Sequence, residues 1–324
     1  MAETTIVLPP RIGFLTRFWR KVALLRESKV GMIGAALVGF WVFCAIFAPL
    51  LSPFDPNNDN FTPVHAVPGA EIYVDAGVIV RGVPAPETCE LVEEGEQAGR
   101  YYCGTVWLGT DKNGRDILSR ILWGAQRVLI YAPIATLCAY LVGIPMGLLA
   151  GYLRGRVDDI LSFVANVILS FPVMVLYVLI IATMPKGGFT VIAAVVFASS
   201  PGVFRIVRGL TLDLRTREYV YAAETRGESI WYIILVEILP NARGPLIVDA
   251  MLRLGYVTIT IGTLGFLGLG LPPPDADWGQ MIASGREALQ EHANVALFPC
   301  LAISSLVLGF NLLADGLREI SLRD

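Results

Sequence analysis

The chain has 324 residues, of which 55% are hydrophobic and only 16% are charged, and its mean hydropathy is +0.61. A net charge of −3 offers no basic surplus for nucleic acid, which argues against that class of partner. Several uncharged runs approach the ~20 residues that a helix needs to cross a bilayer. A large soluble enzyme rarely carries so many such runs, so the composition indicates an integral membrane protein.

Six membrane-spanning helices are predicted, because backbone groups in lipid must be hydrogen-bonded within their own segment. The predicted spans cover residues 30–51, 128–152, 160–184, 189–207, 245–271 and 294–315. The fold class is therefore an all-α integral membrane protein with an insertion after its first span. The first apolar run is too long for a signal peptide and no small-residue cleavage site follows it, so we expect it to be retained.

Basic residues predict the orientation of the spans. With the N-terminus inside, the inner segments carry the leader residues Arg11, Arg17, Arg20, Lys21, Arg26 and Lys29, and later Arg154, Arg156, Arg205, Arg208, Arg215, Arg217, Arg226, Arg243, Arg318 and Arg323. The outer segments carry fewer basic residues and an acidic surplus in Glu87, Glu90, Glu93, Glu94 and Glu96. This asymmetry predicts that both termini are cytoplasmic.

The spans and this orientation divide the chain into four parts. These are a cytoplasmic segment 1–29, a first span 30–51, an extracytoplasmic loop 52–127, and a core domain 128–324 of five spans with a cytoplasmic loop 209–244.

Two of the five cysteines, Cys89 and Cys103, lie in the outer loop. In an oxidising compartment we expect them to form a disulfide, which would contribute about 3 kcal/mol in the chain-entropy description; two free thiols are the alternative. A metal site is not expected, because His65 and His292 are the only histidines and neither has ligand spacing.

The polar stretch 219–241 lies between two apolar runs and is predicted to face the cytoplasm. Residues 221–224 favour a short helix, and Gly227 permits the turn that would end it. An amphipathic run begins at Ile230, and Pro240 is expected to stop or kink it. Such a helix can dock into a partner's groove; an interfacial helix that rests on lipid headgroups is the alternative.

Asp249 and Arg253 are charged residues inside the fifth predicted span. Their i,i+4 spacing places them on one helix face, where they can pair. Intramembrane charges commonly face a cavity, so both are candidates for lining a translocation pathway. The alternative interpretation is that the two residues form a structural ion pair near the membrane interface.

Several ordered motifs occur along the chain besides the loop 219–241. They are Ala48-Pro49-Leu50-Leu51-Ser52-Pro53-Phe54-Asp55-Pro56, Trp107-Leu108-Gly109-Thr110-Asp111, Gly114-Arg115-Asp116, Leu118-Ser119-Arg120, Ser170-Phe171-Pro172, and Phe266-Leu267-Gly268-Leu269-Gly270 with Pro273 and Trp278-Gly279. Taken together, these motifs resemble those of the dipeptide/oligopeptide family of ABC importer permeases. The loop 219–241 is similar to that family's cytoplasmic coupling loop, which docks into an ATPase subunit, and the extra leading span is similar to that of the C-type permease subunit.

Three features depart from the family pattern. Tyr221 stands where the coupling loop usually opens with Glu, and Glu237 replaces an aliphatic residue, although peptide-type members often carry a polar one there. The stretch between Pro56 and Trp107 is longer than the family leads us to expect.

The resemblance implies a non-catalytic subunit of a short-peptide importer in the inner membrane. Its implied partners are a homologous second permease, two ABC ATPases that use ATP and Mg²⁺, an extracytoplasmic solute-binding protein and membrane lipid. The residues implied in ATPase coupling are Tyr221, Ala222, Ala223, Glu224, Gly227, Leu239 and Pro240.

No phosphate-binding G-x-x-x-x-G-K-[ST] loop and no catalytic triad pattern occurs in the sequence, so an enzyme and a bound cofactor are not expected in this chain. Nickel chelates, opines, glutathione and sugars are alternative substrates within the family. A secondary transporter working without ATP is the alternative outside it.

Overall fold

The computed structural model describes residues 28–57, 61–272 and 275–321. The leader residues Arg11, Arg17, Arg20, Lys21 and Arg26 lie outside this range, as do Pro273 and Arg323. Five helices within it are long and apolar enough to cross a membrane, and a sixth span exists only if two helices joined at a sharp bend are counted as one.

The helices in chain order are α1 (Lys29–Ile46), α2 (Ala48–Leu51), α3 (Ala85–Thr88), α4 (Ile117–Leu153), α5 (Gly155–Ser170), α6 (Val173–Thr183), α7 (Gly188–Leu214), α8 (Glu218–Thr225), α9 (Ile230–Tyr232), α10 (Leu239–Phe266), α11 (Trp278–Gly285) and α12 (Asn294–Ser321). A π-helical segment, Ile233–Ile238, joins α9 to α10, and a 3₁₀ turn, Arg286–Ala288, follows α11. The prediction of a mainly helical membrane protein is confirmed.

The first span ends earlier than predicted. Ser28 is the N-cap of helix α1, and its hydroxyl accepts a hydrogen bond from the Gly31 amide at 3.2 Å. The helix ends at Ile46, and Pro49 then lies in the first turn of the separate α2. Proline is tolerated in a first turn because the amide hydrogen it lacks would have no intrahelical partner there.

The third predicted span, 160–184, falls on two helices joined at a sharp bend. Helices α5 and α6 meet at Phe171–Pro172 with a bend of 90°. Pro172 has no amide hydrogen to donate, and its ring disfavours the helical conformation for the preceding residue. Phe171 accordingly has φ −83° and ψ 143°, an extended backbone.

Helices α4 and α7 are longer than predicted and pack closely. Three glycines of α4 face three side chains of α7: Gly143 against Val203, Gly147 against Val207 and Gly151 against Thr211. A Cβ added to any of the three would lie 2.6 Å from the Cβ atom of its partner. Small residues one turn apart let two membrane helices approach this closely, so the glycines set the α4–α7 spacing.

Pro240, predicted to stop or kink the amphipathic run, does not stop it. Pro240 lies in the first turn of α10, and the chain stays helical from Ile230 to Phe266. The residues just before it, Ile233–Ile238, form a π-helix instead. Pro240 cannot donate to the carbonyl four residues earlier, and a change in the hydrogen-bonding register accommodates such a missing donor.

The insertion after the first span folds as a small domain. Strands β1 (Ala70–Val74), β5 (Tyr101–Val106) and β4 (Glu90–Leu91) form an antiparallel sheet in that spatial order, and β2 (Ile79–Val80) pairs with β3 (Val83–Pro84). Phe61, Ile72 and Val106 are buried at its core. A disulfide joins Cys89, at the end of α3, to Cys103 on β5.

The ends of the membrane helices nearest the insertion share one core. Trp278 is fully buried at the start of α11, and its indole Nε1 donates to the Ile121 carbonyl of α4 at 3.0 Å. Trp41 of α1 packs edge-on against Trp278, with ring centroids 5.0 Å apart. These aromatic rings hold α1, α4 and α11 in one arrangement.

Candidate functional site

The polar loop between α7 and α10 contains a short surface helix, α8. Val220 and Ala223 are fully buried on its inner face, where they join a cluster formed by α4, α7 and the π-helix. Tyr221 and Ala222 are exposed on the other side. The two alanines therefore face opposite ways: Ala223 anchors the helix to the protein, and Ala222 lies on the face open to a partner.

Helix α8 ends in a glycine-based turn. Gly227 has φ +75°, a left-handed conformation that costs glycine little. The Gly227 amide donates to the Glu224 carbonyl at 3.0 Å, and the Glu228 amide donates to the Ala223 carbonyl at 3.2 Å. These two bonds are those of a Schellman motif, which satisfies the last carbonyls of the helix.

Two polar links tie this turn to the membrane helices. The Tyr152 hydroxyl, near the C-terminal end of α4, donates to Glu224 Oε1 at 3.0 Å. Arg226 Nη2 lies 3.6 Å from Glu237 Oε1 in the π-helix. The surface helix is thus connected to α4 on one side and to the segment leading into α10 on the other.

Glu237, a departure from the family pattern, therefore has a local partner. The Arg226 side chain reaches both Glu237 and Glu228, each at 3.6 Å, and is 55% exposed. Exposed ion pairs contribute little free energy, so this link orients the Arg226 side chain more than it stabilises the fold. An aliphatic residue at position 237 could not form it.

Tyr219 is a feature of the loop that the sequence did not reveal. Its hydroxyl is buried and has no hydrogen-bond partner among the described residues. Burial raises the pKa of this phenol, with a smaller opposing contribution from the nearby Arg217 cation.

The intramembrane pair forms as its spacing predicts. Arg253 Nε donates to Asp249 Oδ2 at 2.8 Å, and each side chain is 18% exposed. The Tyr140 hydroxyl of α4 donates to the same carboxylate oxygen. The Arg253 guanidinium lies against Gly202 of α7, where an added Cβ would come within 3.1 Å of Nη1. Side chains of α4 and α10 and the backbone of α7 therefore meet at this pair.

The comparisons with known proteins agree with this geometry. Residues 143–324 match the family described as binding-protein-dependent transport system inner membrane component, and residues 13–68 match the N-terminal transmembrane domain of oligopeptide transport permease C. The chain belongs to this permease family. The second match identifies the C-type form with the extra leading span.

Two curated relatives match almost end to end. A glutathione transport system permease of Pectobacterium atrosepticum is 40% identical over 93% of this chain and 88% of its own length. A probable D,D-dipeptide transport system permease of Escherichia coli is 32% identical over 98% of this chain and 95% of its own. The permease is the membrane component of an importer that works with a binding protein.

A solved structure supports the fold. The MetNI methionine ABC transporter in an inward-facing conformation aligns with a TM-score of 0.54 and 19% identity, covering 62% of the permease and 96% of the solved chain. The resemblance to a type I ABC importer permease fold, stated from sequence motifs, is confirmed.

The motif before α4 has a structural part in the permease. Asp111 Oδ1 accepts bonds from the amides of Asn113 and Arg115, both at 2.9 Å, and its Oδ2 pairs with the Arg115 guanidinium at 2.7 Å. Arg120, 1% exposed, donates to the Pro56 carbonyl at 2.8 Å. The motif thus joins the exit of the first span to the start of α4.

Two buried aspartates cap helices α4 and α11. Asp116 Oδ2 accepts from the Ser119 amide at 2.8 Å, and burial raises the Asp116 pKa to about 6. Asp277 accepts from the Gly279 amide at 2.8 Å, and burial raises its pKa too. Both motifs were visible in the sequence, but their capping roles were not.

The two histidines of the permease also meet, which their separation in sequence did not predict. Their rings stack with centroids 5.1 Å apart and an interplanar angle of 7°. Within the described part of the chain, no group of three His, Cys, Asp or Glu side chains could hold a metal ion.

Proposed function

We propose that the permease is the pore subunit of an ATP-driven importer of short peptides, with α8 as the element that docks into an ATPase. The observation that carries the coupling role is the pair of links, Tyr152–Glu224 and Arg226–Glu237. They connect the exposed surface helix to α4 and to the segment leading into α10. Movement of α8 by an ATPase would therefore pull on both helices, and the cavity between the two permeases would change its opening.

The assembly follows from the family. A second permease would complete the pore, two cytoplasmic ATPases would hydrolyse ATP with Mg²⁺, and a solute-binding protein would deliver substrate from outside. Both termini and α8 would face the cytoplasm, as the distribution of basic residues favours. Tyr221, Ala222, Ala223, Glu224 and Gly227 would form or shape the docking helix, and Leu239 and Pro240 would carry its movement into α10.

Short peptides are the substrate class that the relatives favour, since several are named dipeptide, tripeptide or oligopeptide permeases. Glutathione, itself a modified tripeptide, is the second candidate because a relative of 40% identity is named for it. Uptake of a labelled dipeptide into proteoliposomes that hold the whole transporter, with unlabelled glutathione as competitor, separates the two. Dipeptide uptake that excess glutathione leaves unchanged assigns peptides; uptake of labelled glutathione with no uptake of the dipeptide assigns glutathione.

Ala222→Arg tests the docking helix. Ala222 is exposed, so the permease itself should fold and pair with the second permease as before. Copurifying ATPase should fall by about tenfold or more, because an unpaired charge buried in an interface costs on the order of several kcal/mol.

The matched control is Asp159→Arg, an exposed position of α5 on the same predicted face of the membrane. It should leave the ATPase yield unchanged. Equal ATPase recovery with both variants would remove α8 from the docking role.

We propose further that Asp249 and Arg253 border the translocation cavity and that Arg253 meets a peptide carboxylate. The proposal rests on a guanidinium held at membrane depth by Asp249, with 18% of its side chain exposed. Arg253→Ala should reduce uptake while the second permease and the ATPases still copurify. Loss of the assembly would instead make the pair a structural tie between α4, α7 and α10.

A further inference from the structure

A groove runs between α4 and α10 of the permease. Its volume is about 510 Å³. Its lining is almost wholly apolar and includes Leu137 and Ile144 of α4 and Leu246, Ile247 and Leu254 of α10. Leu137 is 60% exposed and Ile247 is 43% exposed, so the groove is open along its side.

The cationic residue of this lining is Arg243. Its side chain is exposed, and among residues 28–57, 61–272 and 275–321 no ion pair or side-chain hydrogen bond is formed by it. Arg253, on another face of α10, differs in this respect because it forms an ion pair with Asp249. Arg243 is therefore a cation at the edge of an apolar groove that lacks an anionic partner within the described chain.

The depth of the groove matches one leaflet of a bilayer. Arg243 lies just before the predicted span 245–271, at the level of the membrane surface. From Arg243 to Leu254 the helix rises by about 16 Å, at about 1.5 Å per residue. Half of the hydrocarbon core is about 15 Å thick. A ligand with its anionic group at Arg243 would thus reach to mid-membrane with its apolar part.

We propose that this groove binds an anionic phospholipid of the cytoplasmic leaflet, with one acyl chain between α4 and α10 and the phosphate on Arg243. The orientation proposed above places Arg243 at that leaflet, where a cation near anionic lipid gains affinity. The groove also borders Leu239 and Pro240, which continue from the π-helix. The bound lipid would therefore support the segment that connects α8 to α10.

The test uses the whole transporter, purified in mild detergent with added phosphatidylglycerol and phosphatidylcholine. Native mass spectrometry counts the lipids that remain bound. Arg243→Ala should lower retained phosphatidylglycerol about fivefold, the factor that about 1 kcal/mol per basic residue represents, and leave phosphatidylcholine unchanged. Arg243→Lys should retain most of it.

Two further variants keep the outcome decisive. Ile247→Trp fills the groove without changing charge and should lower retention of phosphatidylglycerol as well. Arg156→Ala removes an exposed cation elsewhere on the inner side and should have no effect. Copurification of the second permease confirms that each variant is assembled.

Equal phosphatidylglycerol retention by Arg243→Ala and the unchanged transporter would overturn the proposal. So would a Leu137→Cys cross-link to the second permease, because a protein helix would then occupy the groove. If the second permease does not copurify with Arg243→Ala, the Arg243→Lys and Ile247→Trp variants decide instead. Retention by Arg243→Lys with loss by Ile247→Trp supports the proposal, and unchanged retention by Ile247→Trp overturns it.

Discussion

Tyr152 is the residue through which α8 contacts α4. Its ring is buried, the Arg215 guanidinium lies 5.2 Å from the ring centroid, and its hydroxyl reaches Glu224. A buried ring with a polar end fixes the direction of its hydrogen bond, because the ring cannot swing away. The carboxylate at the end of α8 is therefore held by a rigid partner on a membrane helix.

Tyr152→Phe removes this hydrogen bond and keeps the packed ring. We expect uptake per ATP hydrolysed to fall about fivefold, the factor for about 1 kcal/mol of a lost net hydrogen bond, while ATPase copurification stays normal. The measurement is paired uptake and ATPase activity in proteoliposomes. Tyr232→Phe, at a partly exposed ring beyond α8, is the control and should match the unchanged protein. A loss of ATPase binding instead would assign Tyr152 to docking.

Asp116 makes the stability of the permease depend on pH. Because burial raises its pKa from 3.8 to about 6, the folded state holds the proton more tightly than the unfolded state does. The stabilisation is complete below about pH 4 and is lost as the pH rises through about 6. The rise in pKa corresponds to about 3 kcal/mol.

Asp116→Asn stays neutral and keeps a carbonyl oxygen for the Ser119 amide. The melting temperature of the variant relative to the unchanged permease should therefore rise between about pH 4.5 and about pH 7. Thermal unfolding followed by tryptophan fluorescence at both values checks this. A difference that does not change with pH would contradict the assigned titration.

Among the helices, the close packing of α4 on α7 positions the loop that contains α8. The contact depends on glycines whose Cα atoms face partner Cβ atoms directly. Hydropathy predicted both helices, because a long apolar run is enough to indicate a membrane-spanning helix. The contact surface needed the partner's position, which a single sequence does not give.

Gly147→Ala tests this contact. The new Cβ would lie 2.6 Å from Val207 Cβ, so the helices must separate at a cost of about 1–3 kcal/mol. Gly209→Ala, in α7 itself, meets no atom within 4 Å and should be neutral or gain about 0.5–1 kcal/mol of helix stability. Thermal unfolding of both variants in one detergent makes the comparison. A larger loss with Gly209→Ala would contradict the assigned packing.

Breaks within elements were harder to predict than the elements. The run 160–184 contains no charged residue, so its composition does not indicate the 90° bend at Phe171–Pro172. Proline is common in membrane helices, and Pro133 and Pro145 lie inside the continuous α4. Only the extended backbone of Phe171 distinguishes Pro172 from them. The π-helix before Pro240 was hidden for the same reason.

For the whole molecule, the sequence predicted the membrane class, the order of the spans and the pairs Cys89–Cys103 and Asp249–Arg253. Spacing in the sequence predicts contacts between residues on the same helix, as with the i,i+4 pair Asp249 and Arg253. Contacts between distant segments, such as Tyr152 with Glu224 or His65 with His292, depend on the assembled fold. Short strands such as Glu90–Leu91 also carry too few residues for an alternation signal.

We propose that the loop around α8 couples the permease to ATPase subunits. The most direct measurement is recovery of the tagged permease from its native membranes in mild detergent, with the bound proteins identified by mass spectrometry. A second permease and two ATPases bearing phosphate-binding loops are the predicted result. Recovery of the permease alone or as a homo-oligomer, from membranes in which other complexes stay intact, would contradict the account.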